Sequence, residues 1–255
     1  MLTKAYKNRE KILVIAMIIF FIIQSVNGYF IQMSDGITWS VLCFGGVVLA
    51  FLFALVLFSR SYDWLFCALG LLFTVVADWF LVVLEPVREL PAMFAFNVVQ
   101  IMYFIRIFRV HDKERDKASG LSRIEIIHIS VRAVMAAAAL VICAAVLGDG
   151  VDLLSMISLF YYANLLCNVV FSFVEFKKNP CFAIGLLCFA LCDLFVGLGM
   201  IEEYFTVLPG SPLYNLTHTE LNLMWVFYVP SYTLISISAG RMHFCRGEKT
   251  NEVTP

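Results

Sequence analysis

Residues 12–31 read ILVIAMIIFFIIQSVNGYFI, twenty positions without a charge. At 1.5 Å per helical residue this run reaches about 30 Å, the thickness of a bilayer's hydrocarbon core. Lys4, Lys7, Arg9 and Lys11 precede it, and no small-residue cleavage signature follows before Asp35. It therefore reads as a first span that stays in place rather than as a signal peptide. Working outward, apolar runs recur at 37–58, 62–84, 90–108, 121–147, 151–173, 181–201 and 221–240. The breaks between them carry loop chemistry: Ser34-Asp35-Gly36, Ser59-Arg60-Ser61, Glu85-Pro86, Gly148-Asp149-Gly150 and Lys177-Lys178-Asn179-Pro180. Proline cannot continue a hydrogen-bonded helix, and Gly-Asp and Asn-Pro pairs favour turns. Of the 255 residues, 62% are hydrophobic and 15% charged. Soluble domains run near 45–50% and 25%, so this chain lacks the polar residues to cover a water-facing surface. The expected fold is all-α: a single polytopic membrane helix bundle of about eight transmembrane helices.

Charge placement predicts orientation. Sixteen of the 18 Lys and Arg residues lie before the first run or in alternate connections, with Arg106 and Arg109 at the end of the fourth run. The opposite connections hold Arg88 together with Asp35, Glu85, Glu89, Asp149, Asp152, Glu202, Glu203 and Glu220. Basic connections face the cytoplasm. An even number of spans then places both termini there, in the plasma membrane. Basic residues at this rim read as topology determinants and contacts for anionic lipid, so no nucleic-acid partner is expected.

The chain also carries a hint of internal repetition. Gly70-Leu71-Leu72 is followed six residues later by Asp78, and Gly185-Leu186-Leu187 six residues later by Asp193. In the next spans Asn97 precedes Tyr103 by six, as Asn222 precedes Tyr228. These matches fit a parallel 4+4 duplication about an axis along the membrane normal. Chance matching of leucine-rich helices gives the same pattern.

Asp78 and Asp193 are the acids set well inside the runs. An intramembrane carboxyl is costly and marks a functional hypothesis. Counted from the outer helix ends they lie roughly 9 and 12 Å deep, so they can face one another across the bundle. Two carboxyls in one dry pocket do not both carry charge, which leaves a protonated acid beside an ionised base. The alternative is that each ties helices together through an amide or Arg132. Asn97, Gln100 and Tyr103 share one face of the fourth span, and Asn222, Trp225 and Tyr228 one face of the last. With Gln24 and Asn27 they suggest a polar pocket in an aromatic wall. Interfacial anchoring is the competing role for the aromatics. Arg132 lies mid-span and needs a carboxylate, a lipid phosphate or water.

Other chemistry finds little support. The eight cysteines fall mostly in apolar runs, where they pack as small hydrophobes, and no CxxC pair occurs. His111, His128, His218 and His243 are scattered, with no HExxH, so neither a metal site nor a cofactor is expected. No nucleophile elbow or phosphate loop is present.

Four segments carry a family resemblance: Ala77-Asp78-Trp79-Phe80-Leu81; Ala95-Phe96-Asn97 with Gln100 and Tyr103; Cys192-Asp193-Leu194; and Tyr228 through Ser236. In these the chain resembles the YhhN family of lysoplasmalogenase-like membrane proteins. It departs from the family's pattern at Gln100, where His is usual, and at Tyr232, where an amide is common. The resemblance implies an eight-span fold and hydrolysis of the vinyl ether of a lysoplasmalogen. Asp78 and Asp193 would be the catalytic pair, and Asn97, Gln100, Tyr103, Asn222, Tyr228 and Arg132 would contact the lipid or lysolipid partner. With Gln100 unable to exchange a proton near neutral pH, a lipid-binding protein without hydrolase activity stays open. So do a small-molecule or lipid transporter and a non-catalytic scaffold or sensor component.

Overall fold

The computed structural model describes residues 2–57, 62–112, 123–200, 206–219 and 221–240. Their elements are helical throughout: α1 (Leu2–Met33), α2 (Gly36–Val56), α3 (Tyr62–Asp78), α4 (Glu89–Asp112), α5 (Arg123–Leu147), α6 (Leu153–Val174), α7 (Pro180–Met200), a short α8 (Pro212–Thr217) and α9 (Leu223–Ile237). Helices satisfy their own backbone hydrogen bonds, as a hydrocarbon solvent demands. Seven of them are long and apolar enough to cross a bilayer. The expected eighth span, 221–240, is a shorter helix of 15 residues, about 22 Å long. Two features shorten it. Asn222 is its extended N-cap, and Ser238 closes its other end by donating its backbone N–H to Leu234.

The breaks behave as their residues dictate. At the Gly148-Asp149-Gly150 stop a 3₁₀ turn links α5 to α6. Asp152 caps α6 by accepting from the Ser155 amide at 2.7 Å, and the Ser155 side chain returns the contact to complete a capping box. That capping holds the Asp152 carboxyl below its ordinary value of 3.8. Large apolar side chains line the outward faces, Ile12, Val134 and Val141 among them, each about two-thirds exposed. Such a surface suits lipid, not water. α5 is the most peripheral span: His128 and Cys143 are its buried side chains among those described.

Packing between helices repeats. The most extensive contacts are α3 with α4 and α7 with α9; α2 meets α3 as α6 meets α7, α1 meets α2 as α5 meets α6, and the halves cross through α4–α6 and α9–α2. The spacing match in the last pair is nevertheless out of register. The Tyr103 ring lies where a Cβ on Gly70 would be, whereas Ile235 takes that place against Gly185. The α9 residue equivalent to Tyr103 is thus Ile235, two turns beyond Tyr228. The Asn97/Tyr103 and Asn222/Tyr228 pairs share a spacing without sharing a position.

The end of the bundle nearest the basic connections is closed by a buried ion pair. Arg106 of α4 is 1% exposed and donates through Nε to Asp63 in the first turn of α3 at 2.9 Å. Its two terminal nitrogens donate to the Ser238 hydroxyl and carbonyl, each at 2.8 Å, and the guanidinium lies 4.2 Å from the Phe182 ring centroid. One side chain thereby joins α3, α4, α7 and the end of α9. The sequence suggests for Arg106 the role of a topology determinant and lipid contact at the basic rim; its position is a buried junction.

Candidate functional site

The opposite end, bearing Asp35, Glu85 and Asp152, contains a cavity of about 490 Å³. It lies where α3 and α7 end and where α4, α6 and α9 begin. Asp78 and Asp193 both border it. Its size falls within the usual range of small-molecule pockets, roughly 300–1,000 Å³.

Each aspartate is held by a tyrosine from a neighbouring helix. The Tyr228 hydroxyl lies 2.8 Å from both Oδ1 and Oδ2 of Asp78 and donates to that carboxyl. The Tyr161 hydroxyl donates to Oδ2 of Asp193. Asp78 is 3% exposed, whereas Asp193 is half-buried. The tyrosines are braced from behind by a run of touching rings. Tyr161 meets Phe96 at 5.7 Å between centroids, Phe96 meets Phe189 at 5.9 Å, and Phe189 meets Tyr228 at 5.8 Å. Trp225 packs on Tyr228 at 5.3 Å and on Trp39 at 5.4 Å. Such packing leaves the two hydrogen-bonded carboxyls little rotamer freedom, the condition a preorganised site requires.

Local backbone also marks the place. Immediately after Asp78 the helix widens into a π-helical turn, Trp79–Val83, in which the Leu84 amide donates to the Trp79 carbonyl at 3.1 Å. Such turns are rare and gather at functional sites. This one carries Leu81 and Val82 into the cavity wall. The rest of the wall is mainly apolar, with Met93, Met200 and Met224 among its members. Flexible thioethers adapt to varied apolar chains.

The structure brings together Asp78, Asp193 and Tyr228, with Trp225 beside them in the lining, and separates Asn97, Gln100, Tyr103, Asn222 and Arg132 from them. Asn97 donates to the backbone carbonyls of Met93 and Ile157 and is outside the lining. Gln100 is 1% exposed, away from the cavity, and accepts from Asn168 at 2.8 Å. Gln100, the departure noted in the sequence resemblance, therefore does not border the aspartates. Tyr103 is fully buried against Gly70 and Phe182. Asn222 exchanges backbone contacts with the Gln32 side chain at 2.9 and 3.0 Å. Arg132 contacts Asn164, Asn168 and His128 between α5 and α6. Sharing a helical face with a site residue did not place these groups in the site, because face and depth must both agree. Tyr161, which the sequence reading passed over, satisfies both. It stands eight residues into α6, and Asp193 stands seven before the end of the antiparallel α7.

Among the described residues no three His, Cys, Asp or Glu side chains converge as metal ligands. What the arrangement offers is proton transfer by two fixed carboxyls in an apolar chamber. No curated protein and no solved structure matches the chain. A family model described as the YhhN family does match, over residues 37–238. That interval runs from α2 through α9 and takes in the whole cavity wall, so the chain belongs to the YhhN family.

Proposed function

We propose that this membrane protein hydrolyses the vinyl ether bond of lysoplasmalogen-like lipids, with Asp78 and Asp193 as its acid/base pair. The observation that carries this reading is the convergence of both carboxyls on one apolar cavity, each held by a tyrosine hydroxyl. In the proposed step a protonated carboxyl delivers its proton to the outer vinyl carbon. The carbon bonded to oxygen becomes an oxocarbenium ion, which the second carboxylate stabilises. That carboxylate takes a proton from water as the water adds to the cation. The hemiacetal so formed breaks into a fatty aldehyde and the glycerophospho-headgroup alcohol, so one water is consumed and no net proton. The methionine-rich wall suits the alkenyl chain. The chain is read as lying in the plasma membrane with both termini cytoplasmic, which sets the cavity in the outer half.

The test is aldehyde release from lysoplasmalogen by purified protein. Wild type is expected to produce aldehyde, and Asp78→Asn and Asp193→Asn to abolish it while melting within a few degrees of wild type. Full activity in either folded variant removes the acid/base assignment. The repeated packing pattern also suits a carrier, but the cavity is lined at one end of the bundle and the buried Arg106–Asp63 junction packs the other. Movement of an intact lysolipid between leaflets without aldehyde release would favour the carrier.

A further inference from the structure

Arg132 stands outside the aspartate cavity and raises a separate question. It lies six residues into the apolar stretch Ile126–Val146 of α5, about 9 Å from its edge. A guanidinium stays charged at any physiological pH. Its polar partners among the described residues are two amides and an imidazole. One terminal nitrogen donates to Asn164 Oδ1 at 3.2 Å; the other donates to Asn168 Oδ1 and to His128 Nε2, the latter at 3.0 Å. An imidazole nitrogen that accepts is unprotonated, so His128 contributes no charge through this contact. The guanidinium also rests 4.3 Å from the Phe104 ring centroid. Among the described residues no carboxylate lies within 4 Å of it.

The surrounding scaffold is rigid. Asn168 is fully buried and donates to both the backbone and side-chain oxygens of Gln100, at 3.0 and 2.8 Å. Three of the five guanidinium N–H groups are engaged, and Nε is a buried donor without a partner. Arg132 and Asn164 are both half-buried, on the flank where α5 gives most of its surface to lipid. Among the described residues the guanidinium thus has no counter-charge, and it sits half-buried on an apolar flank. It also lies within snorkelling reach of the leaflet at the basic end.

We propose that Arg132, with Asn164 beside it, binds the phosphate of an anionic phospholipid from that leaflet, at a site separate from the aspartate cavity. An anionic headgroup supplies the missing counter-charge. A zwitterionic one brings its own ammonium and compensates less. The basic connections at the same end enrich the local leaflet in anionic lipid.

Native mass spectrometry of the purified protein with dioleoylphosphatidylglycerol tests this. Dioleoylphosphatidylcholine and inorganic phosphate serve as the comparison probes. Wild type is expected to retain one phosphatidylglycerol more tightly than phosphatidylcholine and to show no matching response to inorganic phosphate. Arg132→Gln should weaken that one adduct about tenfold or more, the loss expected on removing charge-assisted hydrogen bonds. Arg132→Lys, which keeps the charge without the planar fork, should fall between. Asp78→Asn, which removes the proposed acid of the separate cavity, should retain the phosphatidylglycerol adduct, so this site and the hydrolase reading can fail independently. Equal phosphatidylglycerol retention by wild type and Arg132→Gln overturns the proposal. So does equal binding of phosphatidylcholine, or an equal response to inorganic phosphate. The wild-type comparison decides the matter even if Arg132→Gln does not fold.

Discussion

Replacing Asp63 by Asn probes the junction that holds the basic end of the bundle. The Asp63–Arg106 contact is 2.9 Å and Arg106 is 1% exposed, so solvent cannot take over the lost partner. At an effective dielectric of about 20, two charges about 4 Å apart attract by about 4 kcal/mol. Breaking a buried pair from one side costs about 3–5 kcal/mol, because the remaining charge stays buried. An asparagine oxygen can still accept one hydrogen bond and recovers about 1 kcal/mol, leaving a net loss of about 3 kcal/mol. For a chain of this size that corresponds to a melting temperature lower by about 6–12 °C. Thermal unfolding of the purified protein in one detergent would measure it. Ser238→Ala removes one acceptor but leaves the Ser238 carbonyl at 2.8 Å, so its cost should be about 1 kcal/mol. The double variant Asp63→Asn/Arg106→Gln should melt well above the sum of its single losses, since removing both charges leaves none stranded. If Asp63→Asn melts within about 3 °C of wild type, or the double variant simply adds, the junction does not stabilise the bundle as argued.

Four further outcomes are expected. Tyr228→Phe and Tyr161→Phe each remove a hydroxyl donor to an aspartate and should lower aldehyde release about tenfold to a hundredfold without loss of fold, as judged by turnover of folded protein. Gly185→Ala would set a Cβ 2.8 Å from Ile235 Cγ1 and 3.1 Å from the Ser231 carbonyl, so the α7–α9 seam should lose about 1–3 kcal/mol, seen in thermal unfolding. Asp152→Ala should lower the melting temperature at pH 7. Because folding depresses this carboxyl's pKa, its contribution is present above 3.8 and fades as pH falls through the folded-state value, so the two melting curves should converge in stronger acid. A C-terminal fluorescent-protein fusion should fluoresce and an alkaline phosphatase fusion should be inactive, as a cytoplasmic C-terminus requires.

The bundle was readable because lipid imposes a crude, long-range rule: a span is an apolar run of sufficient length, and Glu85-Pro86 or Gly148-Asp149-Gly150 ends it. Asp78 and Asp193 were readable for the same reason, since a carboxyl in such a run stands out. Tyr161 was not, because a tyrosine in an apolar helix looks like packing until its depth is matched to Asp193 across α6 and α7. Asp63 and Arg106 were hidden differently. Each lies near a helix end, where charge is ordinary, and only the antiparallel pairing of α3 with α4 brings them into contact. Gln100 and Tyr103 show the converse. They share a face of α4 with site residues, but the helix carries that face past the cavity floor into the packed middle of the bundle.

The turn after Asp78 has an implication for sequence length in this part of the chain. A π turn accommodates one residue more than an α turn. Deleting one residue within Trp79–Val83 would return this turn to regular α-helical winding, leaving Asp78 anchored by Tyr228 while the side chains inside the turn are re-aimed. Leu81 and Val82 would then leave the chamber wall and its mouth would change shape around an undisturbed acid. Insertions and deletions here thus offer a way to retune which lipid tails enter while sparing the carboxyl that would act on them.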